Sequence, residues 1–271
     1  DEARAKAGLR EFGDESFREP LRVLLDALDR EAGLYDWGRA AQRSRIVDLL
    51  VNRLRAEEQF RLHPEILDED LGAPIVIVGL PRTGTTLLQR TLAQDPRLYS
   101  ARWFECRYPA PFPGGGIGAD DPRIPQAKAE VQAMLDGSPA LAAIHPLDAM
   151  AADEEILLLE HSFLSTVPES AANVPSYGRW VDAHDQRPAY RYLRKLLQLL
   201  QWQKRRAGQK ADRWVLKTPH HLGYADLVLE EFPGALIVQT HRDPVESIPS
   251  LASMITALWV LVAEHVDPRT V

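Results

Sequence analysis

Up to about residue 62, apolar positions recur every three to four residues with charged residues between them. Leu21, Leu24, Leu25 and Leu28 form one such set, and Ile46, Leu49, Leu50, Val51 and Leu54 another. This spacing puts the apolar side chains on one helical face and predicts a helix-rich amino-terminal layer over residues 1–72. From residue 74 the period changes. Pro74-Ile-Val-Ile-Val-Gly79 is a short β-branched run that leads into a glycine turn and a periodic stretch from Leu87 to Leu92. Two more units repeat that order. Trp214-Val-Leu216 runs into Lys217-Thr-Pro-His-His221 and the periodic residues 222–232, and Ala235-Leu-Ile-Val-Gln239 runs into Thr240-His-Arg-Asp-Pro244 and a long apolar helix pattern. Short buried strands alternating with helices predict an α/β fold with a central parallel sheet covered on both faces. Ligands bind at the carboxyl ends of such strands, and all three polar clusters fall there.

Between these units the patterning is looser. Residues 109–125 hold five prolines and the run Gly-Gly-Gly-Ile-Gly118, which reads as a mobile surface loop, with closure over a site as an alternative role. Residues 187–209 read as one long helix whose basic end (Lys204, Arg205, Arg206, Lys210) is expected to be solvated. No period of 20–50 residues repeats, which argues against a solenoid.

Composition narrows the classes. Of 271 residues, 45% are hydrophobic and 26% charged, enough apolar material to bury a core rather than remain disordered. One large α/β domain over residues 1–271 is expected, with residues 73–271 as the nucleotide-binding core. The net charge of −7 counts against nucleic acid as a partner, since that requires a basic footprint. Cys106 is the one cysteine, so neither an internal disulfide nor a cysteine-based zinc cluster is available, and a reducing compartment fits. The longest apolar runs, residues 75–80 and 257–263, fall short of the ~20 residues of a transmembrane helix. The amino end has no apolar core of a signal peptide. A cytoplasmic protein is the expectation, and its oligomeric state is left open.

Chemistry enters at the first glycine turn. Gly79-Leu-Pro81-Arg82-Thr83-Gly84-Thr85-Thr86 has the Gly-x4-Gly spacing of a phosphate-binding loop, in which backbone N–H groups and a helix start converge on an anion. Nucleoside triphosphatases carry Lys after the second glycine, and here that position is Thr85, which argues against ATP hydrolysis or kinase chemistry. Arg82 instead places a cation inside the loop. A second anion candidate is residues 241–250. Asp243 as N-cap, Pro244 as first helical residue and Glu246 in a capping box explain part of it. They do not explain Arg242, or Ser250 about two turns further on, which are spaced to face one phosphate.

At these two motifs the chain resembles the sulfotransferases that use 3'-phosphoadenosine 5'-phosphosulfate, most closely their bacterial and carbohydrate- or tyrosylprotein-like branches. Pro81, Arg82, Thr83, Gly84, Thr85 and Thr86 match the family's loop for the 5'-phosphosulfate. Arg242 and Ser250 match its Arg and Ser, eight residues apart, on the 3'-phosphate. The resemblance spans roughly residues 74–263. It implies a phosphate-loop-type three-layer fold, and transfer of a sulfonate group to a hydroxyl of a small-molecule acceptor with release of adenosine 3',5'-bisphosphate. The chain departs from the family after Ser250. Many members have a later basic, glycine-containing segment that completes the donor site, whereas here only an apolar helix pattern and His265-Val-Asp-Pro-Arg-Thr-Val271 follow.

Sulfonate transfer spreads charge over equatorial oxygens, so positioning and cations are expected to do most of the work, with no metal required. Arg82, whose pKa lies above ~12, is expected to act electrostatically. Two candidates stand out for the base that takes the acceptor proton. One is the His220/His221 pair beside Lys217, in a segment resembling the family's Lys-Ser/Thr-Pro-x-His-Leu. Thr218 as N-cap and Pro219 explain the turn but not the lysine or the histidines. The other is Glu105, set between aromatics in Arg102-Trp-Phe-Glu105. His145, Asp148 and Asp153-Glu154-Glu155 are weaker candidates for an acceptor pocket, since an acidic helix start explains the carboxylates equally well. His63, His161, His184 and His265 have no sequence partners that lift them above surface or core roles. The alternative readings are a non-catalytic nucleotide-binding protein and a phosphate-loop kinase or nucleoside triphosphatase with an altered loop.

Overall fold

The computed structural model describes residues 1–137, 147–267 and 271. The amino-terminal pattern folds into the helices Glu2–Ala7, Arg18–Arg30 and Asp36–Leu62. Leu24, Leu28, Ile46, Leu49, Val51 and Leu54 turn inward, while Leu25 stays exposed. Their cluster is completed from far along the chain by Phe163, Ala172, Val174, Tyr177 and Val181. The amino-terminal helices are therefore packed on residues 163–181 through apolar burial, the main favourable contribution to folding.

Four strands, β1 (Ile75–Val78), β2 (Leu98–Tyr99), β3 (Arg213–Lys217) and β4 (Leu236–Gln239), pair in parallel in the order β2-β3-β1-β4. This is the α/β architecture that the alternation of short strands and helices predicts. The two-residue β2 was not foreseen, because so short a run carries no period. The helix Arg187–Arg206 packs one face against the sheet, with Leu193, Leu196, Leu197, Leu199 and Leu200 in one cluster with Val76, Trp214 and Leu216. β4 is one of the two edge strands, and all four of its residues are exposed.

Register sets the position of the chemistry. Ile77 of β1 stands opposite Lys217 of β3, and Val78 opposite Gln239 of β4. The turns that leave β1, β3 and β4 thus open side by side at one end of the sheet.

Two expectations about the loops are corrected. Residues 109–125 are not a free loop. Tyr108, Pro109 and Ala110 are buried, and the helix Arg123–Gly137 begins before Pro125. The buried Arg123 grips Asp121 (Nη2–Oδ2 2.5 Å) and donates to the carbonyl of Tyr108 at 2.8 Å. A buried ion pair with its donors satisfied pins a segment, because breaking it leaves a charge unpaired. The second correction is the end of the long helix. Lys204 is buried on Glu105, Arg205 pairs with Glu69, and Arg206 lies over the ring of Trp202. Only part of that basic run meets water.

Candidate active site

The glycine turn after β1 is held in shape by its own residues and by β4. Gly79 has φ +149, and a Cβ there would stand 2.8 Å from the Thr240 backbone oxygen. Glycine is therefore required for both the conformation and the close approach. The Thr83 hydroxyl lies 2.7 Å from the Leu80 carbonyl and 2.6 Å from the Thr240 hydroxyl, locking the loop to the end of β4. Gly84 caps the helix Thr85–Leu92 at φ +92, and Arg82 has φ +71. A non-glycine residue in that region is strained by about 1–2 kcal/mol. Thr85, where a nucleoside triphosphatase has its lysine, is buried, and Pro81, Thr83 and Thr86 are half-buried around the exposed Arg82 and Gly84.

The second anion motif meets this loop. Arg82 Nε donates to the Ser250 hydroxyl at 3.1 Å, and Arg242 Nη1 donates to the Arg82 carbonyl at 3.2 Å. Asp243 caps the helix Pro244–Trp259 by accepting from the Val245 N–H at 2.9 Å, with Pro244 in its first turn. Glu246 does not close the expected capping box; it accepts from Arg242 Nε at 2.8 Å. That carboxylate occupies a guanidinium edge that an anion would otherwise take.

Lys217 joins from β3. Its side chain is 1% exposed, and its Nζ lies 3.3 Å from the Thr86 hydroxyl and pairs with Glu154. The backbone N–H of Lys217 donates to Glu155 Oε2 at 2.8 Å, and Glu155 Oε1 lies 2.8 Å from His221 Nε2. The other ring nitrogen of His221 lies 2.8 Å from the Tyr190 hydroxyl. Thr218 caps the turn by accepting from the His220 N–H at 3.2 Å, with Pro219 next. Both capping expectations for this segment hold.

The two histidines differ sharply. His221 is fully buried, with both nitrogens engaged, so it fastens the turn and does not face an acceptor. His220 is 5% exposed, and neither ring nitrogen has a hydrogen-bond partner. It lines a cavity of about 500 Å³ with Leu80, Pro81, Thr166, Asp182 and Tyr224. Burial, and then the neighbouring His221, push its pKa down to about 3. The imidazole is neutral there, and one nitrogen is an open acceptor.

Glu105 is elsewhere. Its carboxylate accepts from Lys204 Nζ at 2.6 and 2.7 Å and from the Arg102 N–H at 2.8 Å, closing a capping box on the helix Trp103–Arg107. The structure gives it a buried structural partner in Lys204. Asp148 accepts from the Met150 N–H at 2.8 Å in a turn, while His145 lies outside the described residues. The pair that sequence reasoning undervalued is Glu154 and Glu155, whose carboxylates hold Lys217 and His221. The one available signal was an acidic triplet in a chain whose strand ends carry unexplained cations. Among the described residues, no group of three or more His, Cys, Asp or Glu side chains is arranged to hold a metal ion, and no helix is long and apolar enough to cross a membrane.

Comparison with known proteins gives a consistent set of likenesses. The family model described as "Sulfotransferase family" matches residues 74–266. The crystal structure of the sulfotransferase STF1 from Mycobacterium tuberculosis aligns with a TM-score of 0.83 at 34% identity, over 97% of this chain and 71% of that one. That of STF9 from Mycobacterium avium aligns at 0.84 and 27% identity, over 97% of this chain and 66% of that one. The chain thus spans about two thirds of the length of these relatives. Among curated proteins none matches.

Proposed function

The chain belongs to the sulfotransferase family, and on that premise we propose that it transfers a sulfonate group from 3'-phosphoadenosine 5'-phosphosulfate to a hydroxyl of a small-molecule acceptor. The observation that carries the proposal is the meeting of two distant anion motifs, Arg82 on Ser250 and Arg242 on the Arg82 carbonyl. One guanidinium, one hydroxyl and a second guanidinium, set at a helix start with loop N–H groups beside them, fit a ligand with separate anionic groups. The donor supplies the activated sulfonate and the leaving phosphate.

Pro81, Thr83, Gly84, Thr85 and Thr86 shape the loop around the 5' end of the donor, and Arg242 with Ser250 holds its 3'-phosphate. Arg82 stays charged at any working pH and stabilises negative charge on the transferred group. Lys217, buried at the helix start on Thr86, supplies a second cation, with Glu154 fixing its ammonium in place. In a site with little water such preorganised charges act strongly.

His220 takes the acceptor proton, since its unpartnered ring lines the cavity beside Leu80 and Pro81 of the loop. A nearby anion favours imidazolium, so a bound donor raises its pKa from about 3 toward the working range. His221 positions it through the shared turn. The net charge of −7 is compatible with this arrangement, because the cations are gathered at one end of the sheet. A reducing, cytoplasmic setting is part of the proposal, supported by the free and buried Cys106.

Calorimetric titration of the full chain with adenosine 3',5'-bisphosphate, followed by mass spectrometry of donor-plus-acceptor incubations, tests the reading. Saturable binding and an acceptor product heavier by one sulfonate are expected. Absence of bisphosphate binding by a folded sample sinks it, and Mg²⁺-dependent ATP turnover would replace it with a nucleoside triphosphatase.

A further inference from the structure

The cavity next to the loop is lined by groups of different chemistry. Leu80 and Pro81 come from the loop and Pro219 and His220 from the turn after β3; the Tyr224 ring lies against His220, with ring centroids 4.8 Å apart, and Thr166 and Asp182 complete the lining. About 500 Å³ falls within the roughly 300–1,000 Å³ of small-molecule pockets. His220 is a buried polar side chain with both nitrogens unpartnered, which on its own calls for a hydroxyl or water beside it, because an unsatisfied buried polar group is costly.

Part of the lining is acidic. Asp182 ends the helix Pro175–Asp182 and is exposed toward the cavity. Glu169 lies behind it, so close to Gly178 that a Cβ there would strike its carboxylate. Burial, and then the charge of Asp182, push the Glu169 carboxyl up to about 6. The Tyr224 phenol is raised by burial and then by the charges of Asp182 and Glu169. No cation enters among the causes of either shift, and among the described residues no ion pair of either carboxylate is formed. A cleft wall of one sign concentrates field on its contents.

We infer that the acceptor is a hydroxyl compound carrying an ammonium group, its hydroxyl set at His220 and its cation at Asp182. This rests on the reading of the site as a sulfotransferase and adds the charge class of its acceptor. The same acidic lining disfavours acceptors that already bear a carboxylate, phosphate or sulfate, since like charges there repel. Leu80, Pro81 and the ring of Tyr224 add apolar surface to the same cavity.

Three probes with one phenol and different tails separate the outcomes: tyramine, tyrosol and 4-hydroxyphenylacetate. Each is titrated calorimetrically into the full chain saturated with adenosine 3',5'-bisphosphate, at low ionic strength. Tyramine is expected to bind about fivefold more tightly than tyrosol, and 4-hydroxyphenylacetate weakest, an order-of-magnitude figure for one partly exposed charge pair. Asp182→Asn is expected to bring tyramine down to tyrosol, and Asp182→Glu to keep the order. Equal affinities, tightest binding of the carboxylate, no binding of tyramine, or a preference that survives Asp182→Asn each overturn the inference. The bisphosphate titration in the same samples reports on the sulfotransferase reading separately.

Discussion

The Arg82 guanidinium donates to the Ser250 hydroxyl at 3.1 Å, joining segments 168 positions apart. Arg82 holds that contact from a left-handed backbone, φ +71, so its side chain is retained at a conformational cost. Arg82→Gly is therefore expected to lower turnover by about 10²–10³, the loss typical of one preorganised charge donor. Its unfolding free energy in urea should stay within about 1 kcal/mol of the parent or rise, since glycine is unstrained there. A drop larger than that would show the strain argument to be wrong. Ser250→Ala removes a hydrogen bond to charged groups, typically about 1.5–3 kcal/mol. Its affinity for adenosine 3',5'-bisphosphate should fall roughly 10–100-fold.

Lys217 and Glu154 form a pair whose members serve different ends. Lys217→Met removes the ammonium that pairs with the half-buried Glu154, and both stability and turnover should fall. Adding Glu154→Gln should restore most of the stability, because replacing both members of a buried pair is often neutral. Turnover should stay low in the double variant. Chemical denaturation and steady-state rates measured on all four proteins form the cycle; joint recovery of both quantities would reduce Lys217 to a structural role.

Glu105 gives the reverse pattern. Its carboxylate neutralises the buried Lys204 and caps the helix Trp103–Arg107. Burial already pushes the Lys204 ammonium down from its ordinary value. Glu105→Gln is expected to cost about 3–5 kcal/mol of stability with kcat per folded molecule close to the parent. Normal stability with lost kcat would restore Glu105 as a base.

The strand–turn–helix units were legible because short β-branched runs next to glycine and proline turns leave few alternatives. The meeting of Arg82, Arg242 and Ser250 was legible from the resemblance and from the rule that strand ends gather ligands. Three things were not. β2 is too short to carry a period. The burial of Arg123 and Lys204 depends on partners that spacing does not reveal, namely Asp121, adjacent but of unknown orientation, and Glu105, 99 positions away. The division of labour between His220 and His221 depends on Tyr190 and Glu155, 31 and 66 positions distant. For Lys204 and for the two histidines, a long-range partner overrode the local reading.

The buried histidines make stability depend on pH in a definite direction. His220 and His161 are each pushed down to about 3, chiefly by burial, while unfolded histidine titrates near 6.5. Between pH 6.5 and about 3 the unfolded chain holds protons that the folded chain refuses. Stability is thus full above about 6.5 and falls with pH through this window, by up to about 1.4 kcal/mol per pH unit for each histidine. Glu169, raised to about 6, acts oppositely between its unfolded value and 6, since there the folded state holds the extra proton. It offsets one histidine over that interval, and the buried Glu160, also raised by burial, acts in the same sense. Urea midpoints measured from pH 7.5 to 4.5 on the parent and on His220→Gln isolate one member. The variant's slope should be shallower by about one proton, up to about 1.4 kcal/mol per pH unit. Superimposable slopes would mean that His220 titrates in the folded chain as it does in the unfolded one, and that burial does not hold its ring neutral.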